Sequence, residues 1–200
     1  MYVTDLRHLR IISLVSALRM GLVEDALLDP GCGYVAALRV RPVRGSKQRL
    51  VLRQAVRRIG RHAVILNVDE ELPDETALDN ADRMVALDTL LGLEVVSDEG
   101  NLIGRVRNAV IDPETLSIEA YDVARAPLGV FSRLGGMLRI EAREMLSGSK
   151  DVIIVPQSVI YEGRDAEDLV PGLPAPPRWR PRPIEVPEIQ GPDGAGAAMG

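Results

Sequence analysis

The segment Leu102–Val123, which reads LIGRVRNAVIDPETLSIEAYDV, constrains the fold more than any other part of the chain. Its residues alternate with a period of two before and after an Asp112-Pro113 pair, and this period predicts β-strands. Proline presets φ and the aspartate side chain can bond nearby backbone, so the pair predicts a turn. The segment is therefore a predicted β-hairpin. Alternation assigns the residues of its first strand to two faces: Ile103, Arg105 and Arg107 on one, and Gly104, Val106, Asn108 and Val110 on the other.

The same hairpin pattern occurs a second time, nearer the N-terminus. Gly21–Pro30 aligns with Gly104–Pro113 at a constant offset of 83, and the residues that follow the turn keep that offset. Upstream, Leu14-Val15-Ser16 aligns with Val95-Val96-Ser97, which predicts a first-copy turn two residues shorter than its counterpart. Two copies are too few for a solenoid, so the repeat indicates two sister domains. The remaining predicted elements are strands Ile11–Val15, Ala63–Val68, Met137–Glu141 and Asp151–Val155, a strand extension Val159–Tyr161 and a short helix Arg53–Ile59.

The second copy contains a series of short motifs, namely Gly92–Ser97, Glu99-Gly100, Ile103–Val106, Asp112–Thr115 and Asp151–Val155. With these motifs it resembles a PRC-barrel domain. That family includes the cytoplasmic part of the photosynthetic reaction-centre H subunit and the C-terminal domain of the ribosome maturation factor RimM. The resemblance implies an all-β fold of two tandem small PRC-type β-barrels with short helical turns, of which the first is a degenerate copy.

Composition divides the chain into four segments. These are the degenerate repeat 1–69, an acidic linker 70–83, the second repeat 84–169, and a proline- and glycine-rich tail 170–200. The tail holds eight of the 14 prolines, and such a composition favours extended polyproline II geometry without a packed core. We therefore expect a disordered tail. No apolar run approaches the roughly 18 residues that a membrane span requires, and the N-terminus lacks the order of a signal peptide.

Charge is distributed very unevenly along the chain. Between Pro30 and Val68 there are nine basic residues and no Asp or Glu, in a chain of net charge −5. Such a segment predicts contact with an acidic protein surface, an anionic membrane surface or the phosphates of RNA. The alternative is that the acidic run Asp69–Asp88 folds back and neutralises it. The candidate partner-binding residues are Arg39, Arg41, Arg44, Arg49, Arg53, Arg57, Arg58 and Arg61, with Trp179 in the tail.

The sequence offers few residues for catalysis or metal binding. The histidines are His8 and His62, without zinc-ligand spacing, and there is no nucleophile elbow, P-loop or dinucleotide fingerprint. The single cysteine, Cys32, lies between two glycines and is interpreted as a turn residue; one cysteine also fits a reducing cytoplasm. We therefore expect a protein that is not an enzyme and uses no cofactor and no metal.

The resemblance and the charge pattern lead to one principal functional hypothesis. It is a non-enzymatic interaction or assembly module that docks on a larger cytoplasmic or membrane-peripheral protein complex, like the H subunit but without its membrane helix. The alternative is an RNA- or ribosome-associated maturation factor similar to RimM. An aromatic content of 3% leaves few platforms for stacking bases, which favours the protein partner. A homo-oligomer is a further alternative.

Overall fold

The computed structural model describes residues 1–69, 71–78, 80–126 and 136–162. The predicted tail 170–200 with Trp179, and the loop around Phe131, lie outside the described residues. Within them, β-strands dominate and the helices are short, which confirms the all-β class predicted from the hairpin pattern.

Thirteen strands are found in the described part of the chain. They are β1 Arg10–Ser13, β2 Arg19–Asp29, β3 Tyr34–Pro42, β4 Arg49–Leu52, β5 Val56–Ile59, β6 Ala63–Leu66, β7 Val85–Ala86, β8 Glu94–Ser97, β9 Leu102–Ile111, β10 Ile118–Arg125, β11 Met137–Glu141, β12 Ser147–Gly148 and β13 Val152–Val155. The α-helices are α1 Leu87–Leu90 and α2 Val159–Glu162, and the 3₁₀ helices are Val3–Leu6, Arg53–Ala55, Glu75–Ala77, Ala81–Arg83 and Ala142–Glu144.

The strands form two sheets with the same internal order. Sheet 1 has the order β4-β3-β2-β1-β6-β5, with β7 also paired to β2, and sheet 2 has the order β11-β10-β9-β8-β13-β12. In both, the strand that precedes the hairpin pairs in parallel with a late strand, β1 with β6 and β8 with β13. Among the described residues, β4 is not joined to β5 and β11 is not joined to β12, so closure into a barrel is not detected.

The registers of the two hairpins agree residue by residue at the predicted offset of 83. Gly21 lies opposite Pro42 in β2–β3, and Gly104 lies opposite Arg125 in β9–β10. Each hairpin has two register shifts at equivalent positions. One of them leaves Arg107 as an extra residue in β9, and such a bulge reverses the alternation of faces beyond it. The predicted placement of Val110 with Val106 is therefore wrong: Val110 is half-buried, while its neighbours are buried.

The strand before each hairpin corrects the upstream alignment. Ile11 lies opposite Gly21 and Val95 lies opposite Gly104, so Ser13, and not Ser16, corresponds to Ser97. Both serines are buried, and each Oγ accepts a hydrogen bond from a backbone N–H of the turn that follows. The first-copy turn, residues 14–18, is therefore one residue longer than the second, residues 98–101, instead of two residues shorter.

Two other predicted elements differ from the structure. The segment predicted as a helix from Arg53 to Ile59 is a 3₁₀ helix, Arg53–Ala55, followed by β5, because Val56–Ile59 pairs with β6. The predicted strand extension Val159–Tyr161 is part of α2, with Val159 and Ile160 buried against the core.

The N-terminal arm of each repeat packs against the other repeat; the arms begin at Met1 in repeat one and at Val85 in repeat two. Met1 exchanges backbone hydrogen bonds with Ile111 of β9, and β7 pairs with β2. The two 3₁₀/α turns that follow correspond as well, since Val3 and Leu6 are as completely buried as Leu87 and Leu90. Buried residues of both sheets belong to one continuous hydrophobic cluster. The arm exchange therefore gives the two repeats a shared core.

The tips of the two hairpins also meet. Tyr34 pairs with Ser117 in an antiparallel bridge, and these two residues are themselves equivalent at the offset of 83. The Val35 N–H donates to the Leu116 carbonyl at 2.9 Å, and the Ile118 N–H donates to the Gly33 carbonyl at 2.8 Å. Contact between equivalent residues, together with the exchanged arms, indicates an approximate internal twofold axis through this bridge.

Candidate functional site

The eight candidate arginines come from six neighbouring pieces of sheet 1. Arg39 and Arg41 lie on β3, Arg44 in the β3–β4 loop and Arg49 on β4. The others follow in order: Arg53 in its 3₁₀ helix, Arg57 and Arg58 on β5, and Arg61 in the β5–β6 turn.

Part of the acidic linker folds back onto these arginines. The Arg39 Nε donates to Glu75 at 3.0 Å, and Arg49 pairs with Glu71 at 2.5 Å. The linker also covers the free edge of β4, because the Pro73 carbonyl accepts a hydrogen bond from the Leu50 N–H at 2.8 Å. The self-neutralisation alternative therefore holds for these two arginines.

Three other arginines are occupied by groups outside the linker. Arg41 lies 3.6 Å from Glu24, and Arg58 lies 3.1 Å from Glu114 of the second hairpin. The Arg53 guanidinium stacks over the Tyr34 ring, 4.6 Å from its centroid, and donates to the Thr115 carbonyl. Arg53 and Arg58 thus join the two repeats beside the bridge between the hairpin tips.

Arg44, Arg57 and Arg61 are exposed and form no ion pair with another described residue. They belong to different edges in the strand order of sheet 1: Arg44 precedes the edge strand β4, and Arg57 and Arg61 lie on and after the edge strand β5. The Val43 N–H bonds the Met20 carbonyl at the start of β2, whereas the Ile59 N–H bonds the Pro113 carbonyl of the second hairpin. The arginines therefore form two surfaces, and we call Arg57, Arg58 and Arg61 the cationic edge.

Exposed aliphatic side chains cluster at the end of sheet 1 that carries Arg44. Leu14, Val15 and Leu18 of the β1–β2 turn are 54%, 70% and 64% exposed, and Val43 of the neighbouring loop is 59% exposed. Between the two loops lies a groove of about 740 Å³, with apolar walls that include Leu18 and Val43. We call these four aliphatic residues, together with Arg19, Arg44 and Lys47 on the groove rim, the apolar–basic end.

Sequence reasoning missed the aliphatic half of this end. Strand periodicity predicted Leu14 and Val15 as the last residues of strand Ile11–Val15. Instead, the buried Ser13 ends the strand, because its Oγ accepts hydrogen bonds from the Val15 and Ser16 N–H groups. The turn that follows projects its aliphatic side chains into solvent.

The strongest ion pairs hold the fold together. Asp122 on β10 accepts two hydrogen bonds from Arg139 on β11, at 2.7 and 3.0 Å, and Arg139 also donates to the Tyr2 hydroxyl of the N-terminal arm. The guanidinium holds the pKa of Asp122 below its usual range, and the carboxylate raises the pKa of Arg139. A second group of ion pairs joins the repeats, since Arg7 bridges Asp88 at 2.8 Å and Asp25 at 3.2 Å.

Tyr121 and Cys32 carry hydroxyl and thiol groups whose pKa values are both raised, one by burial and the other at the surface. The Tyr121 hydroxyl is buried and has no hydrogen-bond partner among the described residues, and burial, followed by the charge of Asp29, raises its pKa. The pKa of the Cys32 thiol is also raised, chiefly by a hydrogen bond with Asp29. A raised pKa disfavours the nucleophilic thiolate, so the setting of Cys32 is the reverse of an activated cysteine.

Two further observations concern metals and membranes. Within the described ranges, no group of three or more His, Cys, Asp or Glu side chains is arranged to hold a metal ion. The same part of the chain contains no helix that is both long and apolar enough to cross a bilayer.

A scan against models of protein families finds no match to this chain, and a search of curated proteins finds none either. Function is therefore inferred from the cationic edge and the apolar–basic end themselves.

Proposed function

We propose that the chain is a non-enzymatic interaction module of PRC-barrel type, built from two tandem copies, that docks on a larger cytoplasmic or membrane-peripheral protein complex. The matched strand order and hairpin registers of the two sheets support a tandem duplication. The shared core and exchanged arms support a rigid body, which suits assembly since little side-chain or backbone freedom is lost on binding.

The cationic edge is the surface that carries this proposal. Arg57 and Arg61 are exposed, and neither is paired with a carboxylate of a described residue. Arginine suits an acidic partner because its planar guanidinium binds a carboxylate through two parallel hydrogen bonds. Cations on an edge strand such as β5 also prevent edge-to-edge association of sheets. An experiment must therefore separate partner binding from this protective role.

The chemistry of the titratable groups favours binding over catalysis. Three charged groups with shifted pKa values form ion pairs that join strands and N-terminal arms. They are Asp122, Arg139 and Arg7. Tyr121 is enclosed by the core and only 1% exposed. A catalytic acid or base needs both a shifted pKa and access to a reacting atom.

The test compares tagged wild-type protein with a double variant, Arg57→Glu and Arg61→Glu, as baits for interacting proteins identified by mass spectrometry. We expect a partner that the variant captures at least about tenfold less well, because reversing unpaired cations opposes an acidic surface. Capture should also weaken as salt rises, since exposed charges are screened over about 8 Å at physiological ionic strength. Thermal denaturation checks that the variant remains folded.

Three outcomes decide the proposal. Equal capture by both baits leaves the edge-protecting role as the better account, especially if the variant aggregates. A partner that ribonuclease treatment releases from the wild-type bait supports the RNA- or ribosome-associated alternative. A partner that resists ribonuclease but is lost from the variant supports the interaction module.

A further inference from the structure

The apolar–basic end has a composition that differs from an ordinary protein-binding surface. Its exposed apolar residues are two leucines and two valines on the tips of neighbouring loops, with no aromatic residue among them. Protein–protein hot spots are enriched in Trp, Tyr and Arg, and Leu and Val are under-represented there. Aliphatic side chains on protruding loops suit the hydrocarbon boundary of a bilayer instead.

Cations surround these aliphatic tips. Arg19, Arg44 and Lys47 line the groove between the two loops and form no ion pair within the described residues. The stretches 14–23 and 30–68 contain no Asp or Glu, so both loops approach a surface without a carboxylate of their own. Long Lys and Arg stems can lie against apolar material while their charges reach phosphate groups.

The carboxylates nearest this end are already engaged. Asp69 accepts a hydrogen bond from the Ser16 hydroxyl, Glu71 pairs with Arg49, and Glu24 pairs with Arg41. Asp69 also lines the groove and keeps its negative charge beside the Ser16 hydroxyl. Against this one charge stand the three cations Arg19, Arg44 and Lys47, so the described part of the groove rim is positive on balance. This excess of cations is complementary to anionic lipid headgroups.

We propose that the apolar–basic end docks on an anionic phospholipid bilayer. Leu14, Val15, Leu18 and Val43 enter the interface, and Arg19, Arg44 and Lys47 contact lipid phosphates. The apolar face of an interfacial helix lies about 5–10 Å deep at the boundary between headgroups and acyl chains, and we expect these loop tips to enter the same layer. Stable attachment takes two signals, and this end supplies an apolar and an electrostatic one. The inference goes beyond the proposed function, because it uses a different surface and a different class of partner.

The experiment measures co-sedimentation of the full chain with vesicles of equal parts phosphatidylcholine and phosphatidylglycerol, and with vesicles of phosphatidylcholine alone. We expect binding to the mixed vesicles that rising salt weakens, and much weaker binding to the neutral ones. The variant Leu14→Ser with Val15→Ser should bind mixed vesicles at least about tenfold less well, as should Arg44→Glu with Lys47→Glu. The matched control, Arg57→Glu with Arg61→Glu, reverses two charges on the cationic edge, which does not line the groove, and should bind as the wild type does.

The variants distinguish this inference from the proposed function. Absence of binding to mixed vesicles, or binding that ignores the Leu14/Val15 change, overturns the inference and leaves the cationic edge untouched. Loss of captured protein partners in the Arg44/Lys47 variant without vesicle binding would assign this end to a protein interface. Vesicle binding that persists while the Arg57/Arg61 variant captures partners normally would overturn the proposed function alone.

Discussion

The two repeats have the same hairpin, but the turn before the hairpin differs in polarity and in its contacts. In repeat one, the turn 14–18 projects Leu14, Val15 and Leu18 into solvent. In repeat two, the corresponding turn is polar and fastened down: the Asp98 carboxylate accepts from the Gln157 N–H at 2.9 Å, and the Asn101 side chain donates to Gln157. Strand order and register are thus the same in two repeats whose turns differ, which leaves the turns available for distinct surfaces.

The outer faces of the hairpins differ in the same way. Repeat one presents Leu27, Ala37 and Leu50 there, and Leu78 and Met84 pack against this cluster. At the positions equivalent to Arg39 and Leu50, repeat two instead carries the Asp122–Arg139 ion pair. An apolar face requires cover, whereas a bidentate ion pair tolerates water. The acidic linker therefore has a packing role in repeat one in addition to its charge.

We expect the largest loss of folding stability from substitutions in the exchanged arms, where the repeats are most alike. Leu6 and Leu90 are equivalent and fully buried, so Leu6→Ala and Leu90→Ala should each destabilise the protein by about 2–5 kcal/mol, measured by urea unfolding. The exposed Leu18→Ala should change stability by no more than about 0.5 kcal/mol. A large loss for Leu90→Ala with none for Leu6→Ala would show that only one arm is docked.

The next largest loss of stability is expected at a glycine that occupies the same position in both repeats. A Cβ at Gly21 would lie 2.5 Å from the Arg41 carbonyl oxygen, and a Cβ at Gly104 would overlap the equivalent oxygen of Ala124. A side chain at either position would therefore meet the backbone of the neighbouring strand. Gly21→Val and Gly104→Val should each cost about 1–3 kcal/mol.

The matched control for the glycine is its exposed neighbour. Arg105→Ala should stay within about 0.5 kcal/mol of the wild type. Equal melting temperatures for Gly104→Val and Arg105→Ala would contradict the close approach of β9 and β10. Different losses of stability for Gly21→Val and Gly104→Val would show that the backbone of one hairpin adjusts to a side chain more readily than the other.

The local parts of the fold were predictable and the non-local parts were not. An Asp-Pro turn between alternating segments is a short-range signal, and its repetition at one offset predicted both hairpins. The bulge at Arg107 leaves no such signal in the alternation. The bonds of Met1 with Ile111 join residues 110 apart, and only the packing of two repeats determines them.

The candidate site was predictable to a similar extent. Composition identified the arginines between Pro30 and Val68, because an acid-free basic segment is visible in any sequence. Which of them remain exposed depends on the path of the linker, since Glu71 and Glu75 occupy Arg49 and Arg39. That path is determined by the burial of Leu72 and the bond to the Pro73 carbonyl, which charge patterns do not reveal.

We expect the smallest change in stability from the Asp122–Arg139 ion pair, which repeat two carries where repeat one has an apolar surface covered by the linker. Because Arg139 lowers the pKa of Asp122, the folded state binds fewer protons at this carboxyl than the unfolded state does. Its stabilisation is complete above the ordinary carboxyl pKa of about 4 and disappears as pH falls through the lowered value. Asp122→Asn should therefore unfold at a lower urea concentration than wild type at neutral pH, and the difference should shrink as pH falls below about 4.

Asp112 and Asp74, whose pKa values are also lowered, are present in both proteins and cancel in this difference. A difference that stays constant from neutral to acidic pH would mean that Asp122 contributes through its shape and neutral hydrogen bonds, and not through its charge.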